Sequence, residues 1–256
     1  MLEKTFSEDI TKLCAILNQV QMKINITRRH FEVFIAESST KALAVQKEHT
    51  IYGDILVLVK DPLSEEIDLR YCLEQVEQSI PKVLVYGLDS IIIGNFPEFE
   101  ERQINAFYRD GAIYVSNLQD DDEDFIDDIV HEIAHLVEKT YGALIYEDQK
   151  IAREFLGKRQ RLFYLLKAEG FDVVPKDFME TEYSKEFDMY LFQEVGYPLL
   201  TQLTMGLFLT PYGITSLSEY FAEGFEYYFL KDREYVKKIC PASYRKIEKL
   251  REVEEI

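Results

Sequence analysis

The stretch IVHEIAHLV, Ile129 to Val137, restricts the fold more than any other part of this sequence. At about 100° per residue, Ile126, Ile129, Val130, Ile133, Leu136 and Val137 fall on one side of a helix. His131 and His135 fall on the other side, about 40° apart, so both imidazoles point the same way. Such a helix must be held by its apolar side against a layer of other structure, which makes its polar side a rigid platform. Two ring nitrogens one turn apart suit a tetrahedral zinc ion. Glu132, directly after the first histidine, can reach a water on such an ion without displacing it.

The concentration is notable because the 256 residues hold only four histidines. His30 and His49 have no metal-ligand spacing with each other or with the pair, and are expected on strand or loop surfaces. Cys14, Cys72 and Cys240 are scattered and odd in number, which points to reduced thiols rather than a disulfide framework or a Cys-x-x-Cys metal site. With 47% apolar and 13% aromatic residues the chain has a globular composition. Its apolar runs, such as Ile55 to Val59, are far too short to cross a bilayer. The opening MLEKTFSEDITKLC carries no secretory signal, so a cytoplasmic location is expected, with leaderless export still open. A net charge of −18 argues against nucleic acid and anionic membranes as partners and favours a basic peptide or protein.

Along the chain, strand signals come first and helix signals dominate afterwards. Ser7 to Lys23 reads as a helix, and HFEVFIA (His30 to Ala36) and IYGDILVLV (Ile51 to Val59) read as strands. Ser64 to Ser79 is expected to be a helix capped by its serine. LDSIIIGNF follows at Leu88 to Phe96, and INAFYRDGAIYVSN, Ile104 to Asn117, reads as a hairpin turning at Arg109-Asp110-Gly111. The acidic run Asp120 to Asp128 suits a helix start, where carboxylates complement exposed amides, and lacks the glycine and glutamate of a calcium loop. Helices are then expected at Glu147 to Glu169, Lys185 to Glu194, Leu199 to Leu209 and Ser218 to Leu230, with a charged one ending near Val253. The fold class is therefore α+β. One domain of two lobes is expected: an α/β part over 1–142 ending in the histidine helix, and a helical part over 143–256.

A zinc peptidase site needs a third protein ligand. No third histidine follows at short range, and the cysteines lack a ligand context, which leaves a carboxylate from a later helix. Glu180, Glu182, Glu186, Glu219 and Glu223 are all available. Glu219 and Glu223 share one face of the helix within LTPYGITSLSEYFAEGFEYYF, Leu209 to Phe229, behind Ser216 or Ser218 as cap. One of them can ligate while the other, a turn away, accepts a proton from a ligand imidazole.

His-Glu-Ile-Ala-His, followed by Tyr-x6-Glu-Tyr-Phe-Ala-Glu-Gly-Phe, resembles the catalytic domain of the anthrax lethal factor-like zinc peptidases, of gluzincin type. The matching blocks cover about thirty residues. The resemblance implies a zincin-like fold, with a small mixed sheet and an active-site helix followed by a helical lobe. It also implies one zinc ion held by His131, His135 and Glu219, with Glu132 as general base. Tyr212 matches a tyrosine that assists the transition state, and Glu223 matches the acid behind a ligand histidine. The chain departs from the family in one respect: Glu219 lies 84 positions after His135, so an extra helical insertion is expected over Ala143 to Thr210. The activity implied is peptide-bond hydrolysis, with strand Ala112 to Asn117 as an exposed edge for substrate. The competing expectation is a zinc-binding interaction protein without catalysis.

Overall fold

Strand β1 (Lys47–Ile51) and strand β2 (Ile55–Val59) are separate strands where one continuous run was expected. Tyr52 (φ 56°) and Gly53 (φ 85°) adopt left-handed backbone between them, which no extended run accommodates. The β-branched composition signalled strand correctly but did not mark this turn. In the computed structural model, residues 47–102 and 104–253 are described. The expected helix at Ser7 to Lys23, the strand at His30 to Ala36, Cys14 and His30 lie outside them. From Glu48 onward the chain forms one compact unit.

Helix α1 (Leu69–Ser79) starts later than expected, because Asp68 rather than Ser64 caps it by accepting from Tyr71 N. Strand β3 (Ser90–Ile93), the short helix α2 (Pro97–Arg102), strand β4 (Ala106–Arg109) and strand β5 (Ala112–Val115) follow. The sheet order is β1-β2-β3-β5-β4, parallel at β2/β3 and β3/β5 and antiparallel at β4/β5. The β4/β5 hairpin is the one the Arg-Asp-Gly signal indicated. Asp110 (φ 49°) and Gly111 (φ 85°) make its turn, and a Cβ on Gly111 would stand 2.7 Å from Asp89 Oδ2. This topology corrects the expected docking edge. β5 is covered on both sides by β3 and β4; among the described residues β1 and β4 are the edge strands, and β4 is the one beside the histidine helix.

The register aligns Val57 with Ile91 and Ile113, and Val59 with Ile93 and Val115, all buried. Against β4 and β5 on this side packs helix α3 (Asp122–Tyr146), the histidine helix. Asp121 caps it by accepting from Asp124 N, and Asp122, Glu123 and Asp124 fill its first turn, so the acidic run is a helix start. Its six expected core residues, Ile126 to Val137, are all buried. Tyr141 interrupts the helical dihedrals (φ −115°, ψ 19°) beside the expected 142/143 lobe boundary.

The span from 143 to 210 is mainly helical: α4 (Lys150–Ala168), α5 (Lys185–Met189), a π-helical turn over Tyr190–Val195, and α6 (Tyr197–Thr204). Then come α7 (Leu217–Leu230), α8 (Arg233–Ile239) and α9 (Pro241–Arg251); Pro241 splits the expected single terminal helix in two. α7 packs along α3, with the Phe221 ring 6.3 Å from that of Tyr146, while Tyr220 turns toward α4 and donates to Glu154. The result is a mixed α+β fold with a small five-stranded sheet. Among the described residues, no helix is long and apolar enough to cross a membrane.

Candidate metal centre

α3 and α7 face each other with polar groups at one level. Ser216 caps α7 by accepting from Glu219 N, which sets Glu219 in its first turn. Glu219 Oε2 stands 2.9 Å from His131 Nε2 and 3.7 Å from His135 Nε2. Donor atoms of the three residues all lie within 4.8 Å of one another. Ligands about 2.1 Å from a tetrahedral zinc stand roughly 3.4 Å apart, a spacing that 2.9 and 3.7 Å bracket. The rival acids Glu180, Glu182 and Glu186 are exposed and line no part of this cleft.

The far nitrogen of each ring is also accounted for. His131 Nδ1 lies 3.4 Å from Glu226 Oε2. His135 Nδ1 lies 3.5 Å from Glu138 Oε2 and 3.2 Å from Ser218 Oγ. Glu138 in turn accepts from Ser218 Oγ and, at 2.6 Å, from Tyr146 OH. Acceptors at both Nδ1 atoms favour the tautomer that leaves both Nε2 lone pairs for a cation. The donor set therefore fits zinc: two imidazoles, one carboxylate, and each ring backed by an acid.

Electrostatics follow from burial and pairing. Burial works against a charged His131, yet the carboxylates of Glu219 and Glu226 outweigh it and hold the ring well above its usual range. His135 is opposed by burial in the same way and is raised to about 9 by Glu138 and Glu219. Burial would raise Glu219, but its two imidazole partners bring it down to about 2. Opposite charges therefore meet at one point of the cleft.

Glu132 is buried and accepts from Tyr108 N at 2.6 Å. Burial raises its carboxyl, opposed by His135 and His131. Tyr212 sits in a 3₁₀ turn, Tyr212–Ile214, with its ring centroid 6.1 Å from that of His131. Burial, then Glu219, pushes its phenol upward, so it stays protonated. His131, Glu132, His135, Tyr212 and Glu219 line one cleft of about 520 Å³, which also includes β4 residues Ala106 to Tyr108.

Glu223 is placed differently from expectation. It forms no hydrogen bond to either imidazole among the described residues, and its Oε2 is buried without a partner. It packs under the Tyr212 turn instead, where a Cβ on Gly213 would come within 3.3 Å of Glu223 Cγ. Burial, followed by Glu226, lifts its carboxyl to about 7. The acid behind His131 is Glu226, seven residues after Glu219. That interval returns a helix to within about 20° of its starting direction, whereas Glu223 is displaced by about 40°. Helical spacing from Glu219 and from His131 made Glu226 and Glu138 candidates, but it did not say which ring nitrogen either would meet.

Compared with known proteins, the chain matches no family, no curated protein and no solved structure.

Proposed function

We propose that this chain is a zinc-dependent endopeptidase of gluzincin type with a zincin-like catalytic fold. The observation that carries the reading is the convergence of both imidazole Nε2 atoms on one oxygen of Glu219 while both Nδ1 atoms face other acids. Zinc held by His131, His135 and Glu219 would supply Lewis acidity, making a water acidic near neutrality and drawing charge from a carbonyl.

The chain's own groups do the rest. Glu132 takes the proton of the attacking water and later delivers it to the leaving amine. Its raised pKa brings it closer to the operating range of a general base. Tyr212, protonated beside His131, donates to the carbonyl oxygen as charge develops there, a contact typically worth about 3 kcal/mol. The outward backbone groups of edge strand β4 other than the N–H of Tyr108, which Glu132 holds, hydrogen-bond an extended peptide and align it along the cleft. Asp127, Asp128, Glu132, Glu219, Glu223 and Glu226 line this cleft and, among the described residues, no Lys or Arg lines it, although Lys231 pairs with Asp127 and Glu226 behind it; the excess of acids favours a basic substrate.

The test compares wild type with Glu132→Gln for bound zinc and for cleavage of a peptide library. One zinc per chain in both, with cleavage by wild type alone, is the expected result. Zinc in both and cleavage by neither selects the non-catalytic zinc-binding alternative. No zinc uptake by wild type ends both readings.

A further inference from the structure

We infer that Asp127, Lys231 and Glu226 form a charge circuit, bridging α3 and α7, that fixes the His131 ring with its Nε2 toward the cation site. The inference rests on the reading of His131 as a zinc ligand. Glu226 is buried and divides its two oxygens: Oε2 lies 3.4 Å from His131 Nδ1 and Oε1 lies 2.7 Å from Lys231 Nζ. The same ammonium lies 2.8 Å from Asp127 Oδ2. Asp127 stands four residues before His131 on α3, one turn away, and Lys231 stands five after Glu226 at the end of α7. The contacts therefore run from α3 to α7 and back to α3, with the ligand histidine at one end.

Two features make this more than a surface ion pair. Lys231 leaves the helical conformation (φ −122°, ψ −106°), which lets its side chain fold back over the last turn to both acids. Occupying Oε1 with the ammonium leaves only Oε2 to meet the imidazole, so the carboxylate plane and the ring orientation are set together. A ligand imidazole whose far N–H is held by a carboxylate keeps both its tautomer and its aim. Glu226 and Lys231 are positioning residues here; neither touches the reacting atoms.

The test uses Glu226→Gln, Lys231→Ala and Lys231→Arg, with Glu223→Gln for contrast. Zinc affinity is read by competition with a chromophoric chelator, and the His131 ring by its ¹⁵N and Nδ1–H signals, with and without zinc. The expected result is a 10- to 100-fold loss of zinc affinity in Glu226→Gln and Lys231→Ala, with the Nδ1 signals of His131 displaced. Lys231→Arg should recover most of the affinity, and Glu223→Gln, whose carboxylate is near His131 without a hydrogen bond to it, should displace the Nδ1 signals less than Glu226→Gln does. Because Lys231 is partly exposed, its variants are expected to fold even where Glu226→Gln does not. Unmoved Nδ1 signals in Lys231→Ala and Glu226→Gln overturn the circuit, as does an equal affinity loss in Glu223→Gln. Should wild type bind no zinc, the enzymatic reading fails separately, and the metal-free Nδ1–H signal still decides the circuit.

Discussion

The backbone N–H of Tyr108 donates to Oε2 of Glu132 at 2.6 Å, tying edge strand β4 to the acid beside the first histidine. In an antiparallel pair every second residue turns its N–H away from its neighbour, and Tyr108 is one of these on β4. The contact sets the reach of the carboxylate. Glu132→Asp keeps a carboxylate but shortens it by one methylene, which withdraws it from Tyr108 and from the water that the proposed mechanism has it activate. Bound zinc should be unchanged while kcat/KM on a cleaved peptide falls by about 100-fold. Wild-type turnover by the aspartate variant would show that this placement is irrelevant to catalysis.

Zinc binding by the folded chain should show as thermal stabilisation. At zinc about 100-fold above the dissociation constant, a ligand that binds only the folded state adds about 2.7 kcal/mol. Wild type should gain that amount in a melting experiment with and without zinc, and Glu219→Ala should gain little at the same concentration. The prediction follows from the one oxygen of Glu219 that faces both Nε2 atoms. A full zinc-dependent rise in Glu219→Ala would place the ion elsewhere.

What could be read from the sequence follows from which signals are local. The histidine helix was legible because burial of Ile129, Ile133 and Val137 and presentation of His131 and His135 obey one helical period. The hairpin was legible because Asp110-Gly111 supplies the left-handed pair its turn needs. The sheet order was not: nothing between Ile104 and Asn117 says that β3 lies beside β5 rather than β4. Pairing is a long-range choice, and the wrong edge strand was therefore expected to meet the substrate. The partners of Nδ1 fell between these cases. Glu226 and Glu138 stand at helical intervals from site residues, but only the packing of α7 along α3 shows that the first of them meets His131.

Asp128 should make stability depend on pH. Its half-buried carboxyl accepts from Gln119 Nε2 at 2.8 Å; the loss of solvent lifts it from an ordinary 3.8 to about 6, against the pull of that hydrogen bond. A carboxyl raised by folding is disfavoured as an anion, so the folded chain gains stability as pH falls through about 6 and has the full gain below about 4. Asp128→Asn removes the ionisation and keeps an acceptor for Gln119. In the zinc-free protein at pH 8 the variant should be more stable by up to roughly 3 kcal/mol, the equivalent of a pKa difference of about 2. Its advantage should shrink steadily toward pH 4. Denaturant titrations at several pH values give the answer, and an advantage independent of pH would refute the cause assigned.

Gly157 offers a substitution far from the chemistry. It lies inside α4, exposed, and a Cβ built on it meets nothing within 4 Å. Glycine in a helix interior loses more backbone freedom on folding than alanine does, at a cost of about 0.5–1 kcal/mol. Gly157→Ala should therefore raise stability by about that amount, shifting the denaturant midpoint upward without changing the slope. Zinc affinity and any peptide cleavage should stay at wild-type values, because α4 contributes no residue to the cleft. A loss of stability would mean that this stretch of α4 does not hold a regular helix in solution, and would bring the backbone assigned to the span after α3 into question.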